Sequence, residues 1–138
     1  FTFERKDYRV KGTGAQFNLL VTDKQGVPWY VDVSGAFTTT RGGLLRTDTV
    51  WKALGRALVL REHHPPDEPL RLLLLPSHLP KPNREGDKAL RAAGRGAFWD
   101  AVEMLDDAGR RRLAAYATGE YDRPLPGFWT EQEVDGLS

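Results

Sequence analysis

The spacing of hydrophobic and polar positions changes along the chain, from two-residue alternation near the start to helical spacing further on. "DYRVKGTGAQFNLLVTDKQGVPWYVDVSG" holds short runs of β-branched and aromatic residues divided by glycine turns, the pattern of successive strands. Tyr8–Lys11 reads as a first strand, Phe17–Thr22 as a second and Trp29–Val33 as a third, with "GTG" and "DKQG" as the turns. A hairpin symmetric about Gln25 sets Asn18 opposite Asp32 and Leu20 opposite Tyr30. Side chains alternate faces along a strand. Asn18, Asp32 and Ser34 are therefore expected on one face, and Phe17, Leu19, Val31 and Val33 on the other.

"AFTTTRGGLLRTDT" is a long polar loop, and loops of that length in a compact domain go with function or motion. A helix follows, with Thr47 or Asp48 suited to its N-cap. Val50, Trp51, Leu54, Ala57 and Leu58 recur at helical spacing, which leaves Lys52 and Arg56 on the opposite, polar face. "HHPPDEP" ends that helix, because proline cannot continue it. "LRLLLLPS" is nearly continuous in apolar residues, as expected of a strand buried on both faces. "GDKALRAAG" predicts a short helix stopped by Gly94. "AFWDAVEML" predicts a strand from its length and flanking glycines, and "DDAGRRRLAAYATG" a capped helix ending at Gly119. A β-meander followed by helix–strand units predicts an α/β fold with a mixed sheet. Trp29, Trp51 and Trp99 fall in apolar-periodic segments and are assigned to the core. Residues 1–119 make the domain. Residues 120–138 read as a Pro-rich acidic tail that packs on a neighbour or links onward, with Trp129 as an anchor for a partner.

At 138 residues, with 40% hydrophobic and 28% charged residues, the chain has the size and make-up of one globular domain. The net charge of +1 excludes a global attraction for polyanions, but the charge is uneven. Through Pro65 there are 10 Lys/Arg against 6 Asp/Glu, and beyond it 10 against 13, so a polyanion-binding surface belongs in the first half. The absence of cysteine removes disulfides, thiol catalysis and Cys-based zinc sites. No run approaches the ~18 apolar residues of a membrane span, and "FTFERKDYRV" lacks the apolar core of a signal peptide. A cytoplasmic protein with no membrane partner is expected. The missing initiator Met suggests a piece of something longer, with other domains or subunits as partners.

The loop "TTTRGGLLRTD" carries the chemistry of phosphate contact. Arg41 and Arg46, the hydroxyls of Thr38 to Thr40 with Thr39 central, and the backbone of Gly42 and Gly43 can all reach phosphate oxygens. The helix N-terminus beside them favours anions, and Lys52 and Arg56 continue the basic surface. A solvated helix face is the commoner role for any one arginine. As a group they are the expected DNA-backbone surface, with salt-dependent binding. His63, His64 and His78 lack the spacing of a zinc helix, and Arg110 to Arg112 read as a solvated helix face.

The meander, helix and buried strand, with polar positions meeting on two adjacent strands, resemble the core of the PD-(D/E)XK, or restriction-endonuclease-like, nuclease superfamily over Tyr8 to Ser77. The resemblance implies an Asp on the second strand, a (D/E)-x-K on the third, and Mg²⁺ held by the carboxylates to polarise a phosphate and activate water. Asp32 matches the third-strand acid. Asn18 stands where the family has Asp, and Ser34 where it has Lys; Lys52 on the following helix is a candidate substitute. The resemblance thus implies a nuclease-fold domain of a DNA-processing or restriction and defence protein. Mg²⁺ would be ligated by Asp32 and Asn18, with Asn18, Asp32, Ser34 and Lys52 as the catalytic group. An amide brings no charge, and hard divalent cations favour carboxylates. The alternative is therefore a catalytically inactive α/β module that binds DNA or docks within a larger complex.

Overall fold

The computed structural model describes residues 1–33, 47–68, 70–94 and 96–136. In chain order the elements are β1 (Thr2–Arg9), β2 (Gln16–Thr22), β3 (Pro28–Asp32), α1 (Thr47–His63), β4 (Leu72–Leu74), α2 (Glu85–Ala93), β5 (Asp100–Ala101), α3 (Asp107–Ala117) and α4 (Glu131–Gly136). The strands form one mixed sheet in the order β1-β2-β3-β4-β5, antiparallel from β1 to β3 and parallel from β3 to β5. The α/β class and mixed sheet expected from the hydrophobic pattern are both present.

Alternation along the central strands sorts the core into two clusters. Leu72 and Leu74 pack with Val50, Ala53, Ala57 and Leu60 of α1 and Leu90 of α2. Leu73 packs with Trp29, Val31, Val33 and Tyr116 of α3. The apolar run of β4 is thus buried on both faces, with α1 and α2 over one and α3 over the other. Asp32 follows Val31 and so turns to the α1 side, where it is buried.

Several expectations are corrected. The first strand covers Thr2–Arg9 rather than Tyr8–Lys11. It is an edge strand exposed along nearly its whole length, so it has no hydrophobic alternation to read. The strand expected across "AFWDAVEML" pairs only at Asp100 and Ala101, because its neighbour β4 offers only three residues of edge. Trp51 and Leu58 are about half exposed rather than buried. The buried stripe of α1 is Val50, Ala53, Ala57 and Leu60, so the helix is rotated from the face that the larger side chains suggest.

The C-terminal residues are not a detached tail. Phe128, Trp129 and Val134 belong to the α1-side core, and Trp129 is only 1% exposed. Its Nε1 donates to the Trp99 carbonyl at 3.0 Å, and its ring stacks on Phe98. Burial of three apolar residues outweighs the polar, Pro-rich composition that surrounds them.

Candidate functional site

The two strands singled out by the sequence meet as expected. Leu19 faces Val31 and Leu20 faces Tyr30. One residue beyond, the Asn18 Oδ1 accepts the Val33 backbone N–H at 2.7 Å. The amide oxygen takes the place of a strand carbonyl and closes the end of the ladder. Phe17 does not follow Leu19 to the other face. It packs on the Tyr30 ring and the α1-side cluster, beyond the last residue of β2 that pairs with β3, although β2 stays paired with β1 there.

Asp32 is 2% exposed, and its Oδ2 accepts from Arg56 Nε at 3.0 Å and Nη2 at 2.8 Å. Arg56 is not on the polar face of α1 that the helical spacing predicts. At ~100° per residue it lies within ~60° of Ala53 and ~40° of Leu60, on the flank of the buried stripe. The small side chains of Ala53 and Ala57 leave room for it to reach the sheet. Lys52, one turn earlier, is exposed. Ser34, Thr39, Arg41 and Arg46 lie outside the described residues. The structure therefore joins Asp32 to Arg56 of α1 and Asn18 to the backbone one residue past Asp32, with Lys52 exposed on the same helix.

This donor set does not fit a magnesium site. The Asn18 oxygen already accepts the Val33 N–H, and the Asp32 oxygen nearest α1 carries a guanidinium. A carboxylate neutralised by an arginine at 2.8 Å attracts a divalent cation weakly, and an amide adds no charge. Among the described residues no group of three or more His, Asp or Glu is arranged to hold a metal ion. Nor, among them, is any helix long and apolar enough to cross a membrane.

Two further polar clusters escaped the sequence reading. Asp100, fully buried on β5, accepts the Tyr116 hydroxyl at 2.7 Å and Arg112 Nε at 3.1 Å through Oδ2. Its Oδ1 accepts the Ala101 N–H at 2.8 Å, and the Tyr116 oxygen in turn accepts from the Leu125 N–H. Burial pushes the Asp100 carboxyl above its ordinary range, outweighing Arg112 and the hydrogen bonds. Burial, with the Asp100 carboxylate second, likewise raises the Tyr116 phenol, so it stays a donor. Arg112, expected in solvent, lies flat against Gly127, where a Cβ would overlap its guanidinium. This network fastens α3 and the C-terminal segment to the sheet. The only sequence signal for it is the third Arg of "GRRRL", which lies one turn before Tyr116 on the same helix face.

Asp23 forms the second cluster, in the β2–β3 hairpin. It accepts the N–H groups of Gln25 and Val27 through Oδ1 and Trp29 Nε1 through Oδ2. Burial raises its carboxyl, but these bonds, with Arg71 nearby, hold it below the usual value. Arg71 itself lies over the Trp29 and Trp99 rings, with its carbon at 5.1 and 4.5 Å from their centroids. Both carboxylates are held by hydrogen bonds from the protein itself and serve the fold. No protein-family model, curated protein or solved structure matches this chain.

Proposed function

We propose that this chain is a restriction-endonuclease-like domain of a DNA-processing or defence protein, one that holds the DNA backbone without cutting it. The observation that carries the reading is the Asp32–Arg56 ion pair beside Asn18. Asp32 alone fits the nuclease pattern on these strands, with Asn18 in place of an Asp, and the side-chain oxygens of both accept hydrogen bonds within the protein. The basic side chains of the first half, Lys52 with Arg41 and Arg46, supply phosphate contacts in this reading. Binding of that type releases counterions and weakens as salt rises.

The test is titration of a labelled duplex at several salt concentrations, together with plasmid cleavage in Mg²⁺ or Mn²⁺. Salt-sensitive binding that Lys52→Ala and Arg46→Ala each weaken, with no cleavage, is the expected result. Mg²⁺-dependent cleavage by the unaltered chain that Asp32→Ala abolishes would establish the active-nuclease alternative instead. That second reading is favoured by one feature, the adjacency of Asn18 and Asp32 on neighbouring strands. It requires Arg56 to leave Asp32 when metal binds. Absence of both binding and cleavage would remove the nucleic-acid reading altogether.

A further inference from the structure

Trp51 and Leu58 are 53% and 49% exposed, large apolar side chains left in solvent on one flank of α1. With Leu54 and Arg61 they line one wall of a groove of about 360 Å³ between α1 and α2. The other wall is made of alanines, among them Ala92, Ala93 and Ala97. The two helices run side by side in the same direction. A Cβ on Gly86, at the start of α2, would meet Val50 Cγ2 at 3.1 Å, and one on Gly96, just past its end, would meet Arg61 Nη1 at 3.6 Å. The groove therefore has a protruding indole at one end. At the other it has a hollow floored by methyl groups and edged by a guanidinium.

Trp51, Leu54, Leu58 and Arg61 are separated by three, four and three residues, a spacing that reads the same in both directions. A second α1 laid antiparallel along the stripe sets Leu54 against the partner's Leu58, and Trp51 against the partner's Arg61. Two-fold symmetry repeats both contacts. The spacing is that of an antiparallel helical seam, with leucine against leucine at its centre and tryptophan against arginine at its ends. The tryptophan enters the alanine hollow of the second copy, and its ring meets an arginine, an attraction worth about 0.5–2 kcal/mol. In the single chain Arg61 has only a loose ion pair with Glu62, at 3.9 Å, among the described residues. We propose that this face is a homodimer interface, with the two α1 helices antiparallel at its centre and the α2 helices outside. The inference does not depend on the nucleic-acid reading.

Sedimentation velocity of the whole chain over a range of concentrations tests it. A concentration-dependent monomer–dimer equilibrium is expected. Trp51→Ala should weaken it at least tenfold, while Leu105→Ala, also a large exposed apolar side chain but elsewhere, leaves it unchanged. Because the chain contains no cysteine, register can be read directly. An equimolar mixture of Leu54→Cys and Leu58→Cys chains should form disulfide-linked dimers faster than either alone. Thermal melts of each variant confirm folding. A chain that stays monomeric throughout would overturn the proposal and leave the face to a different partner. A dimer insensitive to Trp51→Ala, or cross-linking equal in all three samples, would overturn it as well.

Discussion

At the scale of single residues, a group's environment matters more than its type. Asp23, Asp32 and Asp100 are all buried aspartates, yet each is compensated differently. Asp23 is held by main-chain and indole N–H groups, Asp32 by an arginine from α1, and Asp100 by an arginine and a phenol from α3. The raised Asp100 carboxyl has a definite pH consequence. Its folded form retains a proton at pH values where the unfolded chain, near the ordinary value of 3.8, has lost it. Its contribution to stability is therefore fully present below 3.8 and is lost as pH rises through the folded value. Urea unfolding of the parent and Asp100→Asn between pH 4 and 7 should show the variant gaining on the parent as pH rises. A constant difference would mean that Asp100 ionises normally. The pairings of Asp32 and Asp100 are not legible in the sequence, because they join residues on different elements. Only Asp23, in a loop before Gly26, carries a local turn signal.

Elements were easier to read where large apolar side chains mark the buried face and harder where they do not. The hairpin register was legible because Gln25 lies at the centre of a short loop whose flanks alternate. The ends of α2 and α3 were legible from Gly94 and Gly119, each with a φ of 75° that favours glycine. The rotation of α1 was not, because its docking side is formed by small alanines while two of its large side chains lie outside. Size misled there: the sheet demands close approach, and Ala53 and Ala57 allow it. The Asp32–Arg56 pair ties α1 to β3 beside that apolar contact. Removing either partner leaves a buried or half-buried charge without its counterpart, and should cost about 3 kcal/mol. The double variant Asp32→Ala/Arg56→Ala should cost less than the sum of the two, by at least ~1 kcal/mol, when measured as a cycle by chemical denaturation. Additive costs would show that the pair does not hold the helix.

For the whole molecule, the important fact is that residues beyond Gly119 complete a core begun by the first strands. Composition assigned them to a tail, since prolines and acids outnumber the apolar residues that matter. Trp129→Ala should lower stability by about 3–5 kcal/mol, the cost of emptying a large aromatic site, in urea or thermal unfolding. An effect below ~1 kcal/mol would mean that the segment only rests on the surface. The packing of Trp129 on Phe98 also sets a schedule for the nascent chain. When β5 has been made, all five strands exist, but Phe98 and the α1-side core still lack the indole that covers them. At the ~5–20 residues per second of synthesis, the 28 residues from Ala101 to Phe128 keep that surface uncovered for roughly 1–6 s. During that interval, protection of the exposed aromatic surface falls to the ribosome or a chaperone.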